Sequence, residues 1–167
     1  RPRVAFSENA TLFIQRNQTK LYSLRITMPT VGMISLGCAK NLIDSEIMMG
    51  HIDKAGMTLT EETEKADALI INTCSFIDSA KKESIDAIFG AVQDRDASHR
   101  KHKQKLIVAG CLSQRFKDEL PKLMPEVDAF IGLDQLDQIP DILTKTLNGI
   151  ESNERDFVTQ RPKYIPD

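Results

Sequence analysis

The 167-residue chain contains no tryptophan, only 8 glycines and 7 prolines, and only three cysteines. So little glycine and proline excludes a collagen-like or low-complexity chain, and so few cysteines exclude a disulfide-dense one. Long hydrophobic runs are missing too: residues 68–71 form a typical apolar stretch, far short of the roughly 18 residues that cross a bilayer. Nor is there an excess of positive charge. A formal net charge of -2 and a pI near 6.0 give no footprint for a polyanion. Membrane insertion and strong direct nucleic-acid binding are therefore not expected. What is present is 41% hydrophobic and 28% charged residues, enough for one globular core. An odd number of cysteines in a mid-sized chain favours a reducing, cytoplasmic compartment.

Three regions differ in character. In residues 1–27, Arg1, Arg3, Arg16, Lys20 and Arg25 are opposed by Glu8 alone. This basic leader is read as disordered or foreign to the fold, with a targeting segment as the other reading, since it is Arg-rich and acid-poor but lacks an apolar signal core. Residues 28–147 alternate short β-prone runs with helix-period segments, the pattern of a parallel sheet covered by helices. Strands are expected at 31–36, 57–60 (a short edge strand), 68–71, 106–109 and 129–131. Helices are expected after Asn41, over 78–95, over 112–123 and over 136–147. The first should bury a stripe of Leu42, Ile43, Ile47, Met48, Ile52 and Ala55, the second a stripe of Ile85, Ile88, Phe89 and Val92. Residues 94–104 read as an exposed polar loop. Residues 148–167, with Pro162 and Pro166 and no period, read as a linker.

The cysteines fall at equivalent places. Cys38, Cys74 and Cys111 each follow a predicted strand by one to three residues, with 35 and 36 residues between them. In a parallel α/β sheet all βα loops emerge on one edge, so three thiols distant in sequence are expected to share one face. Strands lie about 4.8 Å apart, a spacing a multi-iron cluster can bridge. Gly37 and Gly110 leave room beside two of the sulfurs, and the helix N-termini that follow offer N–H groups to thiolates. A buried core cysteine is the ordinary alternative for any one of the three. Zinc is the chemical rival and would need a fourth ligand from His51, His99 or His102. All three histidines are predicted away from the loop edge. A cysteine phosphatase needs Cys-x5-Arg, a spacing that none of the three cysteines has. Asn41, Asp44 and Ser45 are read first as helix caps and second as hydrogen-bonding partners of the loop. Asn72 and Thr73 are read as braces of the second loop or as substrate contacts, and Gln114 and Arg115 as site-edge or solvated residues.

Three motifs then become recognisable. Gly37-Cys38-Ala39-Lys40-Asn41-Leu42-Ile43-Asp44-Ser45-Glu46, Asn72-Thr73-Cys74-Ser75-Phe76-Ile77-Asp78-Ser79-Ala80 and Gly110-Cys111-Leu112-Ser113-Gln114-Arg115-Phe116 together resemble the amino-terminal domain of radical-SAM methylthiotransferases. Lys40-Asn41 and the 76–80 run resemble the RimO branch, which modifies a ribosomal protein aspartate. The tRNA-modifying MiaB branch usually carries Gln-Met-Asn after its first cysteine. The resemblance implies that Cys38, Cys74 and Cys111 hold an auxiliary 4Fe-4S cluster with one iron left open for sulfur delivery. It implies a small-subunit ribosomal protein as substrate and S-adenosylmethionine with a second 4Fe-4S cluster as further cofactors. The Cys-x3-Cys-x2-Cys triplet for that second cluster is absent, so the fragment alone is expected to be inactive. Residues 161–167 resemble the connector into a radical-SAM domain, with a C-terminal domain beyond it.

The fold expected is a three-layer α/β/α sandwich with a mainly parallel sheet, flavodoxin-like in plan; strand order is left open, because doubly wound sheets share the same alternation. Two other readings stand beside the RimO one. One is a tRNA methylthiotransferase fragment; the other is a non-catalytic α/β protein-binding module with structural cysteines.

Overall fold

The computed structural model describes residues 28–98, 102–149 and 154–159. The leader at 1–27, His99 and most of the connector therefore lie outside the described residues. The elements in order are β1 (Thr30–Ser35), α1 (Ala39–Lys54), β2 (Thr58–Leu59), a 3-10 turn (Thr63–Lys65), β3 (Ala68–Thr73), α2 (Asp78–Ala97), β4 (Lys105–Gly110), α3 (Cys111–Arg115), α4 (Leu120–Leu123), β5 (Ala129–Ile131) and α5 (Ile139–Asn148). All five strands are parallel, in the order β2-β1-β3-β4-β5. That is the flavodoxin-like order, with its switch point between β1 and β3.

The middle strands are apolar on both faces because helices cover both. Ala68, Ile70, Ile107, Ala109, Ala129 and Ile131 pack with Met48 and Ile52 of α1 and Ile139, Ile142 and Leu143 of α5. Their neighbours Leu69, Ile71, Leu106, Val108 and Phe130 point the other way, onto Ile88 and Ala91 of α2 and Leu112, Leu120 and Met124 of the α3–α4 segment. The period-two alternation of each strand thus divides one apolar run between two cores.

Four local expectations need correction. On α1, Met48 and Ile52 are buried, but Leu42, Ile43, Ile47 and Ala55 are exposed, while Asn41, Asp44 and Ser45 turn inward. The first turns of α1 pack on polar loop backbone rather than on strand side chains. On α2, Phe89 is exposed, and the inward line runs Ala80, Ser84, Ile88, Ala91, Arg95. The stretch 94–104 is not simply an exposed loop. α2 continues to Ala97, and the buried Arg95 donates to Glu126 O at 2.9 Å and pairs with Asp128 at 3.1 Å. Buried Gln104 donates to the carbonyls of Thr63 and Ala66 at 2.6 and 2.9 Å. These side chains are inside because they satisfy backbone oxygens.

The helix expected over 112–123 is broken into α3 and α4. Pro121 restarts it in a first turn, where the missing N–H costs no hydrogen bond. Beyond α5, residues 154–159 are ordered against the sheet. Asp156 forms a parallel bridge with Phe130, whose N–H donates to Arg155 O and whose carbonyl accepts from Phe157 N, both at 2.9 Å. Arg155 fastens this strap by donating to the carbonyls of Pro121 and Pro125.

Candidate functional site

β1, β3 and β4 are neighbours in the sheet, and their C-terminal ends carry the three cysteines. Ser35 pairs with Asn72, Asn72 with Ala109, and Thr73 with Gly110. Cys74 and Cys111 therefore step off paired positions of adjacent strands, and Cys38 lies three residues past the end of β1. Cys74 is 2% exposed, Cys111 is half-buried and Cys38 is exposed; none is in a disulfide. The loops are in contact. A Cβ added at Gly37, whose φ is +91°, falls on the Cβ of Cys74 and 2.9 Å from its sulfur, so only glycine lets the β1 loop lie against that thiol.

Electrostatics separate Cys38 from Cys111. The Asn41 N–H, which donates to Cys38 O at 3.0 Å, is the strongest influence on the Cys38 thiol. Against a smaller opposing effect of burial, the N–H groups of Lys40 and of Cys38 itself and the Lys40 ammonium also help hold this thiol below the ordinary range. Cys38 is the N-cap of α1, so it meets the free N–H groups of the first turn. Burial pushes the Cys111 thiol up; Lys40 opposes this, and the charges of Cys74, Cys38 and Asp44 reinforce it. In the metal-free chain, alkylation of Cys38 by iodoacetamide is expected to reach its half-maximal rate at lower pH than an ordinary thiol, and Cys111 at higher pH, because the thiolate is the nucleophile. Mass-spectrometric labelling across pH measures this, and the reverse order would contradict the placement of the two sulfurs.

Polar side chains fix the loops. Ser84 of α2 accepts from Cys74 N–H and donates to Cys74 O, both at 3.0 Å, clamping the backbone of the middle cysteine. Thr73 donates to Ala109 O at 2.6 Å, tying β3 to β4. Asn72 donates to Asn41 O at 2.8 Å and to Ser45 Oγ at 2.9 Å. The bracing role expected of Asn72 and Thr73 is what the structure has, and both are fully buried. Arg115 reaches across to Ser75 O at 3.0 Å. Gln114 does not border the thiols: it bonds Leu133 N–H and Thr159 O, joining α3 to the strap. Asn41 is not a cap, since α1 has no side-chain cap and Asn41 lies inside it. Ser84 was missed by sequence reasoning; the available signal was a small polar residue on the inward line of a helix. Replacing it with Ala is expected to cost about 1–2 kcal/mol in urea unfolding, because two buried backbone groups lose their partner.

His51 sits in the last turn of α1 and His102 just before β4, both at the edge remote from the cysteines. Among the described residues, no three His, Cys, Asp or Glu side chains close around a single ion. A single zinc requires its ligands within about 2.3 Å of one point, whereas a four-iron cluster takes each thiolate on a separate iron and spreads its donors wider. Two cavities, of about 700 and 840 Å³, lie at the remote edge as well, one along 94–98 and 102–104, the other between Met57 and α5. Beside the thiols, Leu42 and Ile43 near the start of α1 are exposed, as are Ile77 and, at 87%, Phe76 in the loop after Cys74. Among the described residues, no helix is long and apolar enough to cross a membrane.

Comparison with known proteins gives a consistent picture. Residues 30–132 match a family described as uncharacterized protein family UPF0004. The chain is 56% identical over 138 residues to a protein of Akkermansia muciniphila named ribosomal protein uS12 methylthiotransferase RimO, covering 83% of this chain and 30% of that relative. Proteins of the same name from Opitutus terrae and Caldicellulosiruptor saccharolyticus are 53% and 49% identical over 144 and 139 residues, covering 84% and 83% of this chain. The chain spans about 30% of the length of these relatives.

Proposed function

Since the chain belongs to the UPF0004 family and is the amino-terminal domain type of RimO methylthiotransferases, we propose that it is the cluster-holding part of an enzyme that methylthiolates ribosomal protein uS12. In this reading Cys38, Cys74 and Cys111 ligate an auxiliary 4Fe-4S cluster. The observation that carries it is the arrival of three cysteines at the C-terminal ends of three adjacent parallel strands, with Gly37 of the first loop packed against the Cys74 thiol and the charges of Cys74 and Cys38 acting on Cys111. The donor set suits the group. Thiolates are the protein ligands of such clusters, and the N–H groups at the start of α1 favour negative charge beside Cys38. When bound, the cluster supplies an iron with no protein ligand, open to an external sulfur species, as the vacant position of a catalytic zinc is open to water.

The chain's own residues position and shield. Ser84, Thr73 and Asn72 hold the loops of Cys74 and Cys111, and Gly37 lets the first loop close over Cys74. The exposed side of Cys38 keeps one flank of the site open. Hydrogen abstraction from an unactivated aspartate β-carbon requires a radical, which S-adenosylmethionine and a second cluster provide. This sequence has three cysteines in all, so those groups belong to residues outside it. Thiol ligands that must stay reduced fit a cytoplasmic setting.

The test is a chimera in which residues 30–147 replace the matching segment of the Akkermansia muciniphila relative. The expected result is S-adenosylmethionine-dependent addition of one methylthio group to uS12, read by mass spectrometry. Modification of tRNA instead would move the assignment to the tRNA branch. A folded chimera that holds iron but modifies neither would sink the enzymatic reading.

A further inference from the structure

Asn41 is fully buried on a helix, three residues after Cys38, where a polar side chain needs partners. Its Nδ2 donates to Leu36 O and to Thr73 O, both at 2.9 Å. Both amide hydrogens are thus in use, and a half-turn of the carboxamide would set its oxygen against two carbonyl oxygens. The orientation is therefore fixed, and Oδ1 is left facing Cys111 Sγ at 3.9 Å. The main chain adds two ties: Asn41 O accepts from Asn72 Nδ2 at 2.8 Å, and Asn41 N–H donates to Cys38 O at 3.0 Å. One residue touches the loop of Cys38, the residue before Cys74 and the sulfur of Cys111.

We propose that Asn41 is the positioning residue of this site: its carboxamide sets the spacing of the three cysteine loops before any iron arrives, without itself being a ligand. The chemistry demands an amide. Asp at this position would put an acceptor where two carbonyls need a donor, and an aliphatic side chain would leave both carbonyls buried and unpaired. The use of this spacing rests on the cluster reading above, but its existence does not, so the two are tested separately.

The 167-residue chain, its Asn41→Ala variant and its Asn41→Gln variant are alkylated with iodoacetamide in the metal-free state, and the rate at each cysteine is read by mass spectrometry. Amide hydrogen exchange of β4 and β5 is followed alongside. In Asn41→Ala, Cys74 and Cys111 are expected to react about tenfold faster, the factor set by losing roughly one to two buried hydrogen bonds. Cys38 should stay within twofold, and exchange in the sheet should be unchanged. Asn41→Gln keeps the amide at a longer reach and should fall between, which preserves the test if Asn41→Ala does not fold. Unchanged rates at Cys74 and Cys111 in the folded variants would overturn the proposal. So would an equal rise at all three thiols with faster exchange throughout the sheet, because Asn41 would then serve the fold and not the site. Anaerobic reconstitution with ferrous iron and sulfide is run on the same three proteins. Failure of the unaltered chain to take up iron overturns the cluster reading alone, since the alkylation result still decides the role of Asn41. Where the unaltered chain is loaded, the Asn41→Ala protein is expected to show a changed electron paramagnetic resonance signal, and an identical signal at full occupancy counts against the proposal.

Discussion

Anaerobic reconstitution of the Cys74→Ala chain with ferrous iron and sulfide is expected to leave it nearly colourless, where the unaltered chain takes up about four iron and four sulfide. Cys74 is the most firmly held of the three thiols. It follows β3, the central strand of the five, whose six residues are all buried. Its backbone is gripped in both directions by Ser84, and its side chain lies against the Cα of Gly37. Removing its sulfur leaves Cys38 and Cys111, which flank β3 on either side, with no donor between them. Two thiolates do not hold a cluster that expects three. The fold should survive, since trimming Cys to Ala removes a single buried atom and costs about 1 kcal/mol. Loss of colour with a nearly unchanged unfolding curve separates ligation from stability. Full iron content in the Cys74→Ala protein would remove the basis of the proposed function.

The second large effect concerns Gly110. It has φ +97° at the junction of β4 and α3, and a Cβ there would fall on Asn72 Oδ1 and 2.6 Å from Thr73 O. Neither neighbour can retreat. Thr73 is in the sheet register with Gly110 itself, and Asn72 is locked by its bonds to Asn41 O and Ser45 Oγ. Asn72 Oδ1 is buried and accepts no hydrogen bond from any described residue. Gly110→Ala is expected to cost about 3 kcal/mol or more in urea unfolding, the sum of a strained φ and an overpacked interior. Gly149 is the internal control. Its φ is +92°, but nothing lies within 4 Å of an added Cβ, so Gly149→Ala should cost only the backbone part, about 1 kcal/mol. Equal losses at both sites would mean that the β3–β4 loop contact is not tight. The Gly110 change should also weaken iron uptake, because it pushes Cys111 away from the strand that carries Cys74.

The exposed apolar residues of α1 show where local reading goes astray. Leu42, Ile43 and Ile47 sit in a good helical period with Met48 and Ile52, and the period is real. What the pattern could not tell is that the first two turns of α1 lie over the loop backbone at the sheet edge, where Asn41, Asp44 and Ser45 have carbonyls and amides to meet. Arg95 and Gln104 mislead in the same way: each is polar enough to be placed on the surface, and each is buried because backbone oxygens more than thirty residues away need its donors.

Legible in the local pattern were the alternation of strand and helix, the two-faced burial of β3 and β4, and the placing of each cysteine just past a strand. These follow from short-range rules: side-chain period, strand length, and the right-handed crossover that sends every parallel strand the same way. Packing in three dimensions settled that β1, β3 and β4 are neighbours, that Asn41 points inward to bind two loops, and that Asp156 bridges to Phe130 at the β5 edge. Strand order and long-range side-chain partners are settled by which faces fit together in three dimensions. Many orders share one local pattern, and a carboxamide gives no sign in its own neighbourhood of the carbonyl it will meet 32 residues later.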